Sequence, residues 1–409
     1  MSQKSRALAY HSQKPEGKIG LKVTKQLKGK LDLAYTPGVA DVCLDIKKNK
    51  KKVWDYTAKG NSIAIITDGS RILGLGNIGP EAGLPVMEGK AVLFKALGDV
   101  DAYPIPLATQ NADEIVKTVK AIAPMFGGIN LEDIESPKNF EIENRLTREM
   151  DIPVFHDDQH GTAVVIMAGL INSLKIIRKD LQKAKIVING AGAAGIATAR
   201  LLKAAGVHDL IIVDSFGCIY RGRKEDMNSA KRALSAITNP RTIKGPLSEA
   251  LAGADVFIGV SVPGALNAAN IKTMAKKPIV FALSNPIPEI APEIAKKAGA
   301  VIVATGRSDK PNQINNVLAF PGIFRGLLDC RARRINIQIK LEAAHAIASL
   351  VKPNKNNIVP HALDKRVPPA VAVAVVRAAM KTKVARRRIN NLNSYKREVL
   401  ARINRNKLI

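Results

Sequence analysis

Short apolar runs alternate along most of the chain with longer stretches that carry their apolar residues at helical spacing. In the first half, 62–67, 102–106 and 126–131 read as buried strands, and 151–156 repeats the pattern. Between and after them, 84–95, 112–122 and 164–177 have the length and spacing of helices packed on one face or more. The second half is more regular: 185–189, 210–213, 255–260, 278–283 and 300–304 are strands, and 196–205 is the first intervening helix. Amphipathic helices near 333–350 and 368–381 close the pattern. Such alternation predicts an α/β protein with largely parallel sheets and chemistry at the C-terminal ends of strands.

A chain of 409 residues is long enough for two cores. The expected division is an N-terminal α/β domain over 1–158 and a Rossmann-type, doubly wound dinucleotide-binding domain with closing helices over 159–381. Residues 382–409 are expected to form a basic tail, and the polar, basic residues 1–30 a loosely packed arm.

Charge changes this picture little. The net charge of +28 is the compositional oddity, and the stretch from Lys381 to Ile409 carries ten Lys or Arg against the single acid Glu398. Elsewhere the excess is thinly spread, apart from Lys47 to Lys52. With aromatics at 4% there are few stacking platforms for single-stranded nucleic acid, so a solvated basic surface outweighs a nucleic-acid function. No apolar run reaches membrane-spanning length, and the polar start Met1 to Arg6 lacks the apolar core of a signal peptide. Cys43, Cys218 and Cys330 show neither disulfide nor metal spacing, which fits reduced thiols in the cytoplasm.

Two pairs of acids stand where strands end. Glu132-Asp133 follows 126–131, and Asp157-Asp158 follows Pro153-Val-Phe-His156, before Gly161-Thr162 opens the helix at 164–177. Carboxylates held rigidly at strand exits suit a hard cation or proton transfer. Lys90, flanked by small and apolar residues, reads either as a lysine snorkelling from a helix edge or as one whose pKa desolvation lowers. Tyr35 precedes the Thr36-Pro-Gly38 break and reads from local sequence as a packing residue.

The dinucleotide signal is stronger. Strand 185–189 runs directly into Gly190, Ala191, Gly192, Ala193, Ala194 and Gly195, then a helix, then a second strand ending in Asp214. The glycines serve the tight turn, the approach of the pyrophosphate and close helix packing, and the helix N-terminus offers free N–H groups to phosphate. Asp214 at a strand end can accept both ribose hydroxyls, which argues for NAD, although Arg221, Arg223 and Lys224 just downstream could neutralise a 2′-phosphate. The loop 305–316 is rich in amides able to donate to and accept from a polar ligand. A nicotinamide site facing an acidic cation site suits a substrate with adjacent hydroxyl and carboxylate oxygens.

With these residues the chain resembles the malic enzymes of the short, prokaryotic type, from about Ala7 through Lys381. The likeness is carried by Ala34-Tyr-Thr-Pro-Gly-Val-Ala40, Arg71-Ile-Leu-Gly-Leu-Gly-Asn77, Gly127-Gly-Ile-Asn-Leu-Glu-Asp-Ile134 and Pro153-Val-Phe-His-Asp-Asp-Gln-His-Gly-Thr-Ala163. It implies oxidative decarboxylation of malate to pyruvate and carbon dioxide with NAD or NADP and Mg²⁺ or Mn²⁺. It implies Tyr35 as general acid, Lys90 as general base, Glu132, Asp133 and Asp158 as metal ligands, and Asp157 as their supporting partner. Arg71 matches a position that binds a substrate carboxylate, and Asn285 and Asn315 match residues contacting malate and the nicotinamide ribose. The resemblance also implies a homodimer, with site residues that two subunits could share. Lys28-Gly-Lys30 departs from the family's lead-in to the Tyr segment, and the chain ends before any phosphotransacetylase-like C-terminal domain such as some relatives carry. A malolactic or oxaloacetate decarboxylase on the same fold is the nearest alternative, and a basic nucleic-acid-binding protein the distant one.

Overall fold

The apolar runs fold as two separate sheets in a computed structural model that describes residues 28–29, 31–406 and 408. The first sheet has the order β2-β1-β3-β4, from Asp101–Pro106, Ser62–Thr67, Gly128–Leu131 and Val154–His156, all parallel. The second has the order β10-β9-β8-β5-β6-β7, from Ile302–Thr305, Ile279–Ala282, Val256–Gly259, Ile186–Asn189, Leu210–Asp214 and Gly217–Cys218. Only the short β7 runs antiparallel. Strands β1, β3, β4, β5, β8, β9 and β10 are buried throughout, as their continuous apolar runs require when helices cover both faces. The arm expected over 1–30 lies almost wholly outside the described residues.

The helix Asp157–Ile177 joins the two halves and runs through the expected boundary at 158/159. It starts at Asp157, against the expected start at 164, so the two acids occupy its first turn, where free N–H groups favour negative charge. Its length and hydropathy would satisfy a membrane span, but two thirds of its most apolar window is buried in the protein, and it serves as the central core helix. The C-terminal helices Phe320–Asp329, Ile337–Ala348 and Val367–Lys381 pack back across this junction. Phe320 and Phe324 meet Phe94 of the helix Pro80–Gly98 at ring separations of 4.6 and 5.3 Å, and Phe324 meets Phe155 of β4 at 5.8 Å. One apolar core therefore spans both halves.

The stretch 382–409, expected as a tail, carries instead the helix Leu392–Arg405, which is part of the fold. Tyr395, Val399 and Ile403 recur every four residues and are buried, while the basic residues lie mostly on the other faces. The Tyr395 hydroxyl donates to Asp329 (2.8 Å) and Asn406 donates to the Lys95 carbonyl (2.9 Å). Asp329 also binds the fully buried Arg325, whose guanidinium reaches Asn61 at 2.6 Å. Ile403→Ala should therefore destabilise the protein by about 2–5 kcal/mol, as for any large aliphatic in a packed core. A fall in Tm no larger than that of Lys396→Ala would show that the helix does not dock.

Candidate functional site

Register places the acids. In the β3/β4 pairing Leu131 lies opposite His156, so Glu132 and Asp157 leave the sheet side by side. Asp133 takes a left-handed conformation (φ 52°), sparsely populated by residues other than glycine, and its N–H donates to Asp158 Oδ2 at 2.9 Å. Glu132, Asp133 and Asp158 each offer a carboxylate oxygen within 4.8 Å of the others. Gly161 is obligatory one turn later, because a Cβ there would lie 1.9 Å from Asp157 Oδ1.

Such crowding is costly without a cation. Burial, then the neighbouring Asp158, pushes the Asp133 carboxyl up to about 8, and burial drives Glu132 well above the usual carboxylate range despite Lys90. Asp133 Oδ2 is buried with no hydrogen-bond partner among the described residues. Three converging oxygen ligands, one of them orphaned, fit a divalent hard cation. Glu132, Asp133 and Asp158 are the residues that could hold it.

Lys90 is buried among these acids. Its ammonium donates to Glu132 Oε1 (2.5 Å) and to Asp157 Oδ2, beneath the Phe320 ring at 4.5 Å. Burial opposes the ammonium, but Asp157 and Glu132 outweigh it and hold the Lys90 pKa above the ordinary lysine value. Neither local reading of Lys90, snorkelling from a helix edge or lowered by desolvation, describes it: the side chain is buried, and carboxylates 42 and 67 residues away in sequence surround the amine. Burial lifts the Asp157 carboxyl to about 6, with Lys90 acting the other way. Asn316, missed by sequence reasoning, completes the set by donating to Asp157 Oδ2. It closes the amide-rich loop that drew attention, one residue beyond Asn315.

The dinucleotide loop follows β5. Gly190 has φ 119° and would put a Cβ 2.4 Å from the Val260 carbonyl, and a Cβ on Gly195 would meet the Gly190 carbonyl at 1.8 Å. Gly192 faces open space. These are the tight-turn, helix-packing and phosphate-approach positions in that order. Gly190, Ala191, Gly192 and Asp214 line a cavity of about 660 Å³, and Ala193, Ala194 and Gly195 open the helix Ala193–Ala204 beside it. Arg71 reaches the same cavity from the first half, with its N–H on the Asp133 carbonyl (3.0 Å) and its guanidinium unpaired among the described residues. Ser261 and Val262, beyond β8, also line it. The fully buried Glu289 ties that loop to the next, accepting from the N–H groups of Ser261 (2.9 Å) and Ser284 (3.0 Å).

Asp214 differs from expectation. Its carboxylate is already occupied: Oδ1 accepts from the Phe216 N–H (2.9 Å) and from Arg223 (2.8 Å), and Oδ2 from Arg223 and from Lys231 (2.8 Å). Burial opposes the charge, yet these donors, Arg223 first, hold its pKa below the usual carboxylate value. Its repulsion of a 2′-phosphate is thereby largely cancelled, and Lys231, which lines the cavity, was not anticipated.

Three expected residues stand apart. Asn315 caps a backbone turn, its Oδ1 accepting from the Val317 N–H (3.0 Å), and Asn285 is exposed against Gly306. Neither lines the dinucleotide cavity. Tyr35 follows the short helix Leu31–Ala34, is 69% exposed, and takes no part in the described hydrogen bonds of the acidic cluster.

Taken together, a Rossmann groove opening beside a carboxylate cluster with a buried lysine defines the class of two-domain, dinucleotide-binding enzymes. Residues 13–147 match the model of the malic enzyme N-terminal domain, and 159–380 that of the malic enzyme NAD binding domain. The chain is 55% identical to the bifunctional malic/malolactic enzyme of Bacillus subtilis over 94% of its own length and 95% of that protein's. It is 55% identical to the NAD-dependent malic enzyme of Geobacillus stearothermophilus over 90% of its length and 77% of that protein's. It superposes on the crystal structure of malic enzyme from Pyrococcus horikoshii with a TM-score of 0.95 at 49% identity, covering 98% of this chain and 96% of that one. The chain belongs to the malic enzyme family.

Proposed function

We propose that the chain oxidatively decarboxylates (S)-malate to pyruvate and carbon dioxide, reducing NAD or NADP. The observation that carries this reading is the placement of Lys90 and the Glu132, Asp133 and Asp158 carboxylates beside a groove built for a dinucleotide. Mg²⁺ or Mn²⁺ held by those three residues would supply charge to polarise the substrate hydroxyl and carbonyl oxygens. Arg71 binds a malate carboxylate through its unpaired guanidinium. A cation at the neighbouring carboxylates would offset the charge that holds the Lys90 proton, and the neutral Nζ would then take the proton of the malate hydroxyl as hydride leaves for the nicotinamide, with Asp157 and Asn316 holding the amine in place. The helix start at Ala193 would hold the pyrophosphate of the dinucleotide.

Tyr35 is assigned the proton delivered to the enolate, by its match to the family. Leu31, Leu33, Tyr35 and Leu44 are large apolar residues left exposed within a short span of chain, which supports a homodimer in which Tyr35 serves the partner's site. Three free thiols, Cys43, Cys218 and Cys330, support a cytoplasmic setting.

The assay follows reduced cofactor by absorbance with malate, Mn²⁺ and either dinucleotide. Absence of reduced cofactor with both would overturn the proposal. The name of the Bacillus subtilis relative favours a malolactic activity as the second reading, and lactate formed without net reduced cofactor would establish it. NAD is expected to show the lower KM. Lys231→Ala should raise KM for NADP about tenfold or more, the loss of one charge-assisted hydrogen bond, with KM for NAD little changed. Equal effects on both cofactors would show that Lys231 only supports the loop.

A further inference from the structure

One cavity lies apart from both the acidic cluster and the dinucleotide groove. It measures about 240 Å³ and is walled from both halves of the protein. Glu143, Asn144 and Thr147 come from the helix Lys138–Glu149, His160 from the second turn of Asp157–Ile177, Arg200 from Ala193–Ala204 and Lys340 from Ile337–Ala348.

The charges in this wall are unbalanced. The one carboxylate, Glu143, is already engaged: Oε1 accepts from His160 Nε2 (2.7 Å) and from the His156 N–H (3.2 Å). Two cations face it. Neither Arg200 nor the Lys340 ammonium has a hydrogen-bond or ion-pair partner among the described residues, in contrast to the buried Arg223 and Arg325. Burial first, and then the neighbouring Arg200, brings the Lys340 amine down to about 8 in spite of Glu143. Two half-buried, unpaired cations turned into one half-open cavity repel each other and lose part of their hydration, and an anion between them reverses both costs. The Asn144 amide and the Thr147 hydroxyl, on the facing wall, are also without side-chain hydrogen bonds among the described residues.

We infer that this cavity binds a small oxyanion between Arg200 and Lys340, with Asn144 and Thr147 as neutral partners. The space, about 240 Å³ and open on one side, accommodates an ion of phosphate or short-carboxylate size. Arg200 supplies the planar fork that pairs two oxygens, and Lys340 a single charge. Because the ligating groups come from both halves, the anion clamps the seam behind the helix whose first turn carries Asp157 and Asp158. This inference does not depend on the malate reaction.

The test is isothermal titration of the full chain with inorganic phosphate, the dinucleotide loop being saturated with NAD. Acetate and chloride at matched ionic strength form the parallel arms. Saturable binding of one phosphate per chain is expected, with chloride giving none, and tighter binding of acetate would assign the site to carboxylates. Arg200→Gln and Lys340→Gln should each weaken binding about tenfold or more. Asn144→Asp, at an exposed position on the rim, sets a like charge against the ion without disturbing the core, and should weaken it as well. No saturable oxyanion binding, or affinity unchanged in Arg200→Gln and Asn144→Asp, would overturn the inference.

Discussion

Lys90→Ala is expected to lower kcat by about 10²- to 10⁴-fold, the usual contribution of a positioned general base. The alanine also removes the counter-ion between Glu132 and Asp157, and breaking a buried pair costs about 3–5 kcal/mol. Loss of activity in that variant alone would therefore not separate chemistry from folding. Lys90→Arg does so: a guanidinium restores the positive charge but cannot give up its proton. If Lys90 is the base, the arginine variant recovers the Tm lost by the alanine variant while its kcat stays low. If Lys90 is only a counter-ion, kcat and Tm recover together, and the base must be sought elsewhere.

Much of this arrangement could be read from residues. Continuous apolar runs marked the buried strands within one to three residues of their observed bounds, because strands buried on both faces tolerate almost nothing else. Glu132-Asp133 and Asp157-Asp158 were legible as strand-end acids for the same reason. What escaped depends on partners far along the chain. The start of the helix at Asp157 was hidden because its first two turns are polar and satisfied by tertiary contacts. The direction of the Lys90 shift was set by carboxylates from two other elements, which no local window contains.

Asp214 shows the same limit in the dinucleotide site. An acid at the end of the second strand signals ribose recognition only when its oxygens are free, and Arg223 and Lys231 occupy them. Arg223 was visible as a basic neighbour, but its engagement of both oxygens was not. The C-terminal helix failed to register for a simpler reason: ten basic residues hid the four-residue recurrence of Tyr395, Val399 and Ile403.

Asp158→Asn offers the sharpest separation of ligand from scaffold, because its two expected effects have opposite signs. Asparagine keeps an oxygen to accept the Asp133 N–H, so local geometry survives while the charge goes. Removing a ligand should raise the Mn²⁺ concentration for half-maximal activity more than the 10- to 100-fold typical of losing a partner behind a ligand, so by about 10²-fold or more. Without metal the variant should be more stable than the parent. The folded-state pKa of Asp133, at about 8, lies above its unfolded value, so the stability it contributes is full at low pH and is lost as pH rises from about 4 to 8. Relieving the repulsion from Asp158 lowers that pKa and returns part of the loss. Metal reverses the order, since a cation bound only to the folded state adds about 2.7 kcal/mol at a concentration of 100 Kd. Thermal unfolding near pH 8 should therefore show the curves crossing: Asp158→Asn melting above the parent in EDTA and below it in Mn²⁺. A variant that melts lower in EDTA, with an unchanged increment from Mn²⁺, would make Asp158 a helix-start residue and remove it from the metal site.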